Sequence, residues 1–144
     1  MSSDHTTSAL RYELLDLTAP ERDPDTRLAV FVDPGTLSDG QMQRIAAELG
    51  LPMCTFVWSP ARRRGAWRTR TFTAHRELPS AGDAARGVAA VLAWLGHLPV
   101  EGGVTTVTLV APVGTVEVDL TASTGTPCSV LVGSGTIHLP ETRP

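Results

Sequence analysis

The segment from residue 83 to residue 95 constrains the fold of this chain more than any other. Between Asp83 and Leu95 only Arg86 carries a charge, and alanine, valine, leucine and tryptophan fill nearly every other position. In a helix these side chains point in all directions around the axis, so no polar face is left for water. Such a helix belongs inside a core. We therefore expect the other elements to enclose it.

A second helix and a series of strands are predicted around this segment. Ser38 and Gln41 have the spacing of a capping box, and apolar residues then recur every three or four positions until Gly50. Alternating β-branched and apolar residues predict strands at residues 12–17, 28–32, 53–58, 67–72, 105–110, 114–120, 129–132 and 135–139. The sequence thus predicts an α+β fold, with a curved, mostly antiparallel sheet wrapped around the buried apolar helix.

Length, charge and hydropathy exclude several classes of protein. The 144 residues fit one domain, which we place at residues 11–140, after a disordered segment at residues 1–10. The net charge of -3 gives no general basis for binding nucleic acid, and the five arginines between residues 62 and 70 indicate a solvated hairpin tip. No apolar run approaches the roughly 20 residues of a membrane span, and residues 1–7 lack a signal peptide pattern. We expect a cytoplasmic protein.

The cysteines and histidines do not form a recognisable ligand pattern. Cys54 and Cys128 are far apart and lack the Cys-x-x-Cys spacing of zinc or redox sites. No two histidines have the spacing of metal ligands. We therefore expect free thiols, no metal and no cofactor.

The loop before the apolar helix resembles a known active-site loop. Residues 72–83 read Phe-Thr-Ala-His-Arg-Glu-Leu-Pro-Ser-Ala-Gly-Asp. This stretch resembles the phenazine-biosynthesis PhzF-like family, whose members typically carry Phe-Thr-Pro, then Glu-Leu-Pro, then a Gly-His pair that opens a buried helix. Residues 37–57 also resemble the family's Leu-Ser-Asp, short helix and Ser-Glu-Thr-x-Phe-Val, and Asp16 falls near the Asp of its first strand. The resemblance covers most of residues 12–120.

This resemblance implies a fold and a partner. Family members generally contain two half-domains of the diaminopimelate-epimerase-like fold, which face each other across a cleft. The present chain corresponds to one half-domain, so the resemblance implies that a second chain supplies the other wall of the cleft. A homodimer is the simplest arrangement, because two-fold pairing is the commonest form of oligomer.

Residues that the family uses for catalysis are replaced in this sequence. The resemblance places the family's acid/base glutamate at Met53, and a thioether cannot transfer protons. The family's Gly-His pair is Gly82 and Asp83 here. The chain is therefore similar to the family in its fold signals more than in its catalytic residues.

Three residues are candidates for acid–base catalysis in place of the missing glutamate. Asp83 at the helix start could act as an acid or base if partly desolvated, or could simply cap the helix. His75 and Glu77 are two positions apart in the loop, so in an extended chain they could share a face and transfer protons as a pair. Alternatively, Glu77 could serve only to fix the loop.

The helix start is also a candidate ligand-binding site. Unpaired backbone N–H groups and the helix dipole favour an anionic group such as a substrate carboxylate, although the charge of Asp83 would repel one. Cys54 would lie on the opposite face of its strand from Met53, where a buried thiol is expected. The candidate ligand-binding residues are Met53, Cys54, Gly82, Ala84 and Ala85.

Three functions are compatible with these residues. The chain could be an isomerase or epimerase that acts on a small molecule in bacterial secondary metabolism, with its acid–base groups relocated. It could instead be a cyclase-type enzyme that holds a hydrophobic intermediate in a reactive conformation, since Met53 would lower the polarity of the site. The alternative is a binding or accessory protein that keeps the fold without catalysis. We favour the isomerase-type or cyclase-type enzyme.

Overall fold

The computed structural model describes residues 9–16, 27–62, 65–80, 84–98, 104–121 and 130–138 of the chain. Within these ranges eight strands and two helices follow one another. They are β1 (Ala9–Asp16), β2 (Arg27–Val32), α1 (Asp39–Leu49), β3 (Met53–Trp58), β4 (Trp67–Phe72), β5 (Glu77–Leu78), α2 (Ala85–Trp94), β6 (Val104–Ala111), β7 (Gly114–Thr121) and β8 (Val130–His138).

The strands form one mixed sheet with helices on both faces. The strand order is β7-β6-β4-β3-β2-β1-β8, and the short β5 pairs with β4. The pairs β2–β3 and β4–β6 are parallel, whereas the other five described pairs are antiparallel. The predicted α+β class with a mostly antiparallel sheet is confirmed.

Helix α1 begins and ends where its local sequence predicts. The Gln41 backbone N–H donates to Ser38 Oγ at 3.1 Å, and the Ser38 backbone N–H donates to Gln41 Oε1 at 2.8 Å, which completes the capping box. Gly50 ends the helix in the left-handed region, with φ 63°. The apolar side of α1 covers one face of the sheet, in a core made of Ala29, Phe31, Met42, Ile45, Ala46, Cys54, Phe56 and Phe72.

Helix α2 packs against the opposite face of the sheet, as its apolar sequence predicts. Its buried residues contact a second core that includes Leu15, Leu28, Val30, Val57, Trp67, Val107 and Leu109. Enclosure is incomplete at the C-terminal end, where the side chains of Trp94 and Leu95 are each 43% exposed. The predicted buried helix is thus present, and only its C-terminal end is partly exposed.

Two strands differ from the predicted pattern. Residues 130–138 form one strand, β8, where two were expected, because its partner β1 pairs with it across both glycines in its middle. The ring of Tyr12 on β1 covers Gly135, so that an added Cβ would lie only 2.5 Å from Tyr12 Oη. Most of the predicted disordered segment at residues 1–10 lies outside the described residues, although β1 already begins at Ala9.

Candidate active site

Strand β3 divides its side chains between the two cores. Met53 and Val57 belong to the core around α2, whereas Cys54 and Phe56 belong to the core under α1. This is the alternation expected of a regular strand. Met53 is half-buried, and it lies at the start of β3. Since β4 runs antiparallel to β3, the loop that follows Phe72 leaves the sheet at the same end as Met53.

Cys54 is a buried thiol on the far side of the sheet from Met53. It has no exposed surface, and it packs in the aromatic core beside Phe56 and Phe72. Burial raises the pKa of the Cys54 thiol from 9.0 to about 12, because the thiolate would be poorly solvated there. Cys54 therefore stays protonated and unreactive at neutral pH. The structure does not bring it together with the other ligand-binding candidates.

The start of α2 belongs to the same core as Met53. Ala84 and Ala85 are both buried in the cluster against which Met53 packs. Ala84 occupies the N-cap position and has no side chain that can cap the helix. Gly82 and Asp83 lie outside the described residues. Ala84, Ala85 and Met53 thus share one side of the sheet, with small side chains at the helix start.

Threonines provide the buried polar groups on this face of the sheet. Thr55 Oγ1 and Thr71 Oγ1 are 3.0 Å apart and share a hydrogen bond, and neither residue is exposed by more than 1%. Thr69 Oγ1 donates to the backbone carbonyl of Val110 at 3.1 Å. We did not identify these threonines from the sequence, although their alternation with Arg68 and Arg70 on β4 was visible. Hydroxyl groups can position a ligand, but they are not acid–base groups near neutral pH.

Glu77 forms a two-pronged ion pair with Arg70. Arg70 Nε donates to Glu77 Oε2 at 2.8 Å, and Arg70 Nη2 donates to Glu77 Oε1 at 2.6 Å. Arg70 Nη1 donates to Asp39 Oδ1 at 2.7 Å in the first turn of α1. Hydrogen bonding to Glu77, and to a smaller extent to Asp39, stabilises the charged guanidinium and so raises the pKa of Arg70. The geometry favours the interpretation in which Glu77 fixes the loop.

His75 lies on a tight turn within the same loop, and it is exposed. The Thr73 backbone N–H donates to the Arg76 carbonyl at 2.8 Å, and the His75 backbone N–H donates to Thr73 Oγ1 at 3.1 Å. Within the described residues no hydrogen bond joins His75 to Glu77, whose two carboxylate oxygens are occupied by Arg70. The structure thus does not form the proton-transfer pair that the spacing of these residues suggested.

The described residues contain neither a metal-binding cluster nor a helix that could cross a membrane. No group of three or more His, Cys, Asp or Glu side chains in these ranges is arranged to hold a metal ion. None of the described helices is long and apolar enough to span a bilayer.

Sequence comparisons connect the chain to one family. The model of the phenazine biosynthesis-like protein family, PhzC-PhzF, matches residues 26–141. The trans-2,3-dihydro-3-hydroxyanthranilate isomerase of Pseudomonas aeruginosa is 42% identical over 82 residues, which is 57% of this chain and 29% of the relative. The isomerase of the same name from Pseudomonas fluorescens is 41% identical over 81 residues. The chain thus spans less than a third of each of these isomerases.

Comparisons with solved structures agree with the sequence matches. A protein described as a predicted epimerase from Pseudomonas aeruginosa superimposes with a TM-score of 0.65 and 34% identity, covering 79% of this chain and 39% of that one. A PhzF-family protein from Enterococcus faecalis gives a TM-score of 0.64 and 25% identity, covering 80% and 42% of the two chains. In both cases the described fold corresponds to less than half of the solved protein.

Proposed function

Because the chain belongs to the PhzC-PhzF family of phenazine biosynthesis-like proteins, we propose that it supplies one lobe of an isomerase-type enzyme. Its substrate would be a small-molecule intermediate, in bacterial secondary metabolism. The observation that carries the proposal is the 42% identity over 82 residues to a trans-2,3-dihydro-3-hydroxyanthranilate isomerase. The relatives are more than three times as long as the matched segment, so the activity requires a second lobe as well.

The substrate is proposed to bind where Met53 and the start of α2 meet. Three facts support this location: Met53 is half-buried, the helix start carries small residues, and the turn of residues 73–76 between β4 and β5 lies at the same end of the sheet. The helix start would attract an anionic group such as a carboxylate. The second wall of the cleft would come from another lobe, in the simplest case a second copy of this chain.

Proton transfer is proposed to fall to Asp83, with His75 as the second candidate. Met53 occupies the position at which the family resemblance places the catalytic glutamate, and its thioether cannot exchange protons. Glu77 is committed to Arg70 through both carboxylate oxygens, so we assign it the positioning of the loop. An apolar Met53 also suits a more hydrophobic substrate, or a cyclisation in which shape matters more than acid–base chemistry.

A non-catalytic role is the second candidate function. Two observations favour it. Met53 stands where the family resemblance places the catalytic glutamate, and Glu77 is held in an ion pair with Arg70. A protein of this kind would hold its ligand in the cleft without turning it over.

Isotope exchange can separate the two functions. The protein is incubated in deuterium oxide with trans-2,3-dihydro-3-hydroxyanthranilate, and the recovered compound is examined by mass spectrometry and NMR. We expect rearrangement or deuterium incorporation that disappears in Asp83→Asn or His75→Gln and persists in the exposed-surface control Glu117→Gln. Binding of the compound without exchange would establish the accessory role. If the compound neither binds nor undergoes exchange, the assignment of this substrate class is refuted.

A further inference from the structure

The turn between β4 and β5 begins beside Met53. Cys54 and Phe72 form the last pair of the β3–β4 register. Because the two strands are antiparallel, Met53 and Thr73 are the next residues of these strands at this end of the sheet. The turn, which carries the exposed His75, therefore starts next to the candidate active site.

Hydrogen bonds to Thr73 fix the backbone on both sides of His75. The Thr73 backbone N–H donates to the Arg76 carbonyl at 2.8 Å. Thr73 Oγ1 accepts from the backbone N–H groups of His75 and Arg76, each at 3.1 Å. Since these bonds close the turn around one threonine, the position of His75 depends on the position of Thr73.

Gln43 on helix α1 contacts the first residue of this turn. Its side-chain Nε2 donates to the Thr73 backbone carbonyl at 2.9 Å, in a partly buried contact. A carbonyl oxygen can only accept a hydrogen bond, so the contact requires a donor at position 43. A second connection follows the turn, where Arg70 joins Glu77 to Asp39. Asp39 and Gln43 are four residues apart, so both connections start from the same side of the helix.

Helix α1 is a firm support for the turn, because both of its ends are capped and one side is buried. The capping box at Ser38 begins the helix, and Gly50 ends it. Met42, Ile45 and Ala46 pack into the core under α1. A reacting group reacts faster when residues on rigid elements hold it in the productive geometry. The contact from α1 can therefore influence chemistry at the far side of the turn.

We propose that Gln43 is a positioning residue that acts through His75. Its amide nitrogen donates to Thr73, and Thr73 fixes the turn that carries His75 beside Met53. This inference rests on the proposed function, in which His75 is a candidate for proton transfer. A displacement of about 1 Å can slow an enzyme by about 100-fold. Loss of the Gln43 contact should therefore slow proton transfer more than it weakens the binding of substrate.

Deuterium exchange with trans-2,3-dihydro-3-hydroxyanthranilate tests the proposal in three variants. Gln43→Met gives a side chain of similar length and helix propensity but removes the donor. We expect its rate at saturation to fall about tenfold or more, while its KM changes by less than about twofold. Gln43→Lys restores a donor and should recover most of the rate. The matched control Arg44→Met places methionine at the exposed neighbouring position and should exchange as the original protein does.

Amide hydrogen exchange in the protein without substrate reports on the turn itself. By NMR, the backbone N–H groups of Thr73 and Arg76 should exchange about fivefold faster in Gln43→Met than in the original protein, because one hydrogen bond that supports the turn is lost. The N–H groups of β3, in the middle of the sheet, should exchange at unchanged rates. This comparison separates a local loss of order from a general loss of stability.

The proposal is overturned if Gln43→Met exchanges deuterium into the compound at the original rate, or if Gln43→Lys is as slow as Gln43→Met. It is also overturned if the KM rises as much as the rate falls, or if amide exchange accelerates in β3 as much as in the turn. If the original protein incorporates no deuterium, the proposed function is refuted, and this role of Gln43 with it.

Discussion

Removing the ion pair between Arg70 and Glu77 should destabilise the protein by a measurable coupling energy. The two side chains are 26% and 27% exposed, and two N–H···O bonds of 2.8 and 2.6 Å join them. Exposed pairs contribute about 0.2 to 1 kcal/mol, whereas breaking fully buried pairs costs about 3 to 5 kcal/mol. The pair lies between these limits and is bidentate, so we expect a coupling of about 1.5 kcal/mol.

A double-mutant cycle measures this coupling directly. Urea denaturation gives the free energy of unfolding for the original protein, Arg70→Met, Glu77→Gln and the double variant. Asp39 is a matched control, because it bonds the same guanidinium while its side chain is 83% exposed. Asp39→Asn should therefore cost no more than about 0.5 kcal/mol. A coupling below about 0.5 kcal/mol between Arg70 and Glu77 would refute the reasoning.

The same variants also test the role assigned to Glu77. If Glu77 only fixes the loop, Glu77→Gln lowers stability, and any loss of deuterium exchange is shared by Arg70→Met. Loss of exchange in Glu77→Gln, with normal stability and normal exchange in Arg70→Met, would instead make Glu77 the proton-transfer group.

Three further predictions concern the cores and the sheet, and each is checked by urea denaturation. Between pH 9 and pH 12 the free energy of unfolding should fall by up to about 1.4 kcal/mol per pH unit through Cys54. The reason is that the unfolded thiol loses its proton above its ordinary pKa of 9.0, whereas the folded thiol keeps its proton up to a pKa of about 12. Cys54→Ala should lack this contribution, and an equal slope in both proteins would contradict the prediction. Thr55→Val and Thr71→Val should each lower the free energy of unfolding by about 1 to 3 kcal/mol, because each leaves a buried hydroxyl without its partner. The double variant should lose less than either single variant, and additive losses would contradict this. Gly135→Ala should cost about 1 kcal/mol more than Gly133→Ala, because only the first places a Cβ against an aromatic ring of β1; equal losses would show that the ring moves aside freely.

Features set by short-range chemistry were predictable from the sequence. Helix α1 begins after the capping box at Ser38 and ends before Gly50, as predicted, because both signals act within one helical turn. The alternation of β3 also correctly placed Met53 and Cys54 on opposite faces. The position of the candidate site was inferred from the family resemblance.

Features that depend on distant parts of the chain were not predictable in this way. Strand β5 has two residues, and Arg70 from β4 holds it through Glu77. The sequence placed Arg70 in a basic cluster at a solvated hairpin tip, because sequence alone cannot show which carboxylates lie across the sheet. A groove lined by Glu13, Val32 and Leu95 likewise forms only where β1, β2 and the end of α2 meet.

Native mass spectrometry of the purified chain with trans-2,3-dihydro-3-hydroxyanthranilate tests most directly whether two lobes form one ligand-binding cleft. Each chain has a mass of 15.3 kDa, so the account predicts a particle of twice that mass that carries the bound compound. The bound compound should be kept in Asp83→Asn, which removes only the proposed proton-transfer group, and lost in Met53→Trp, whose larger side chain fills the proposed site. A particle with the mass of one chain, with or without the compound, would contradict a cleft built from two copies.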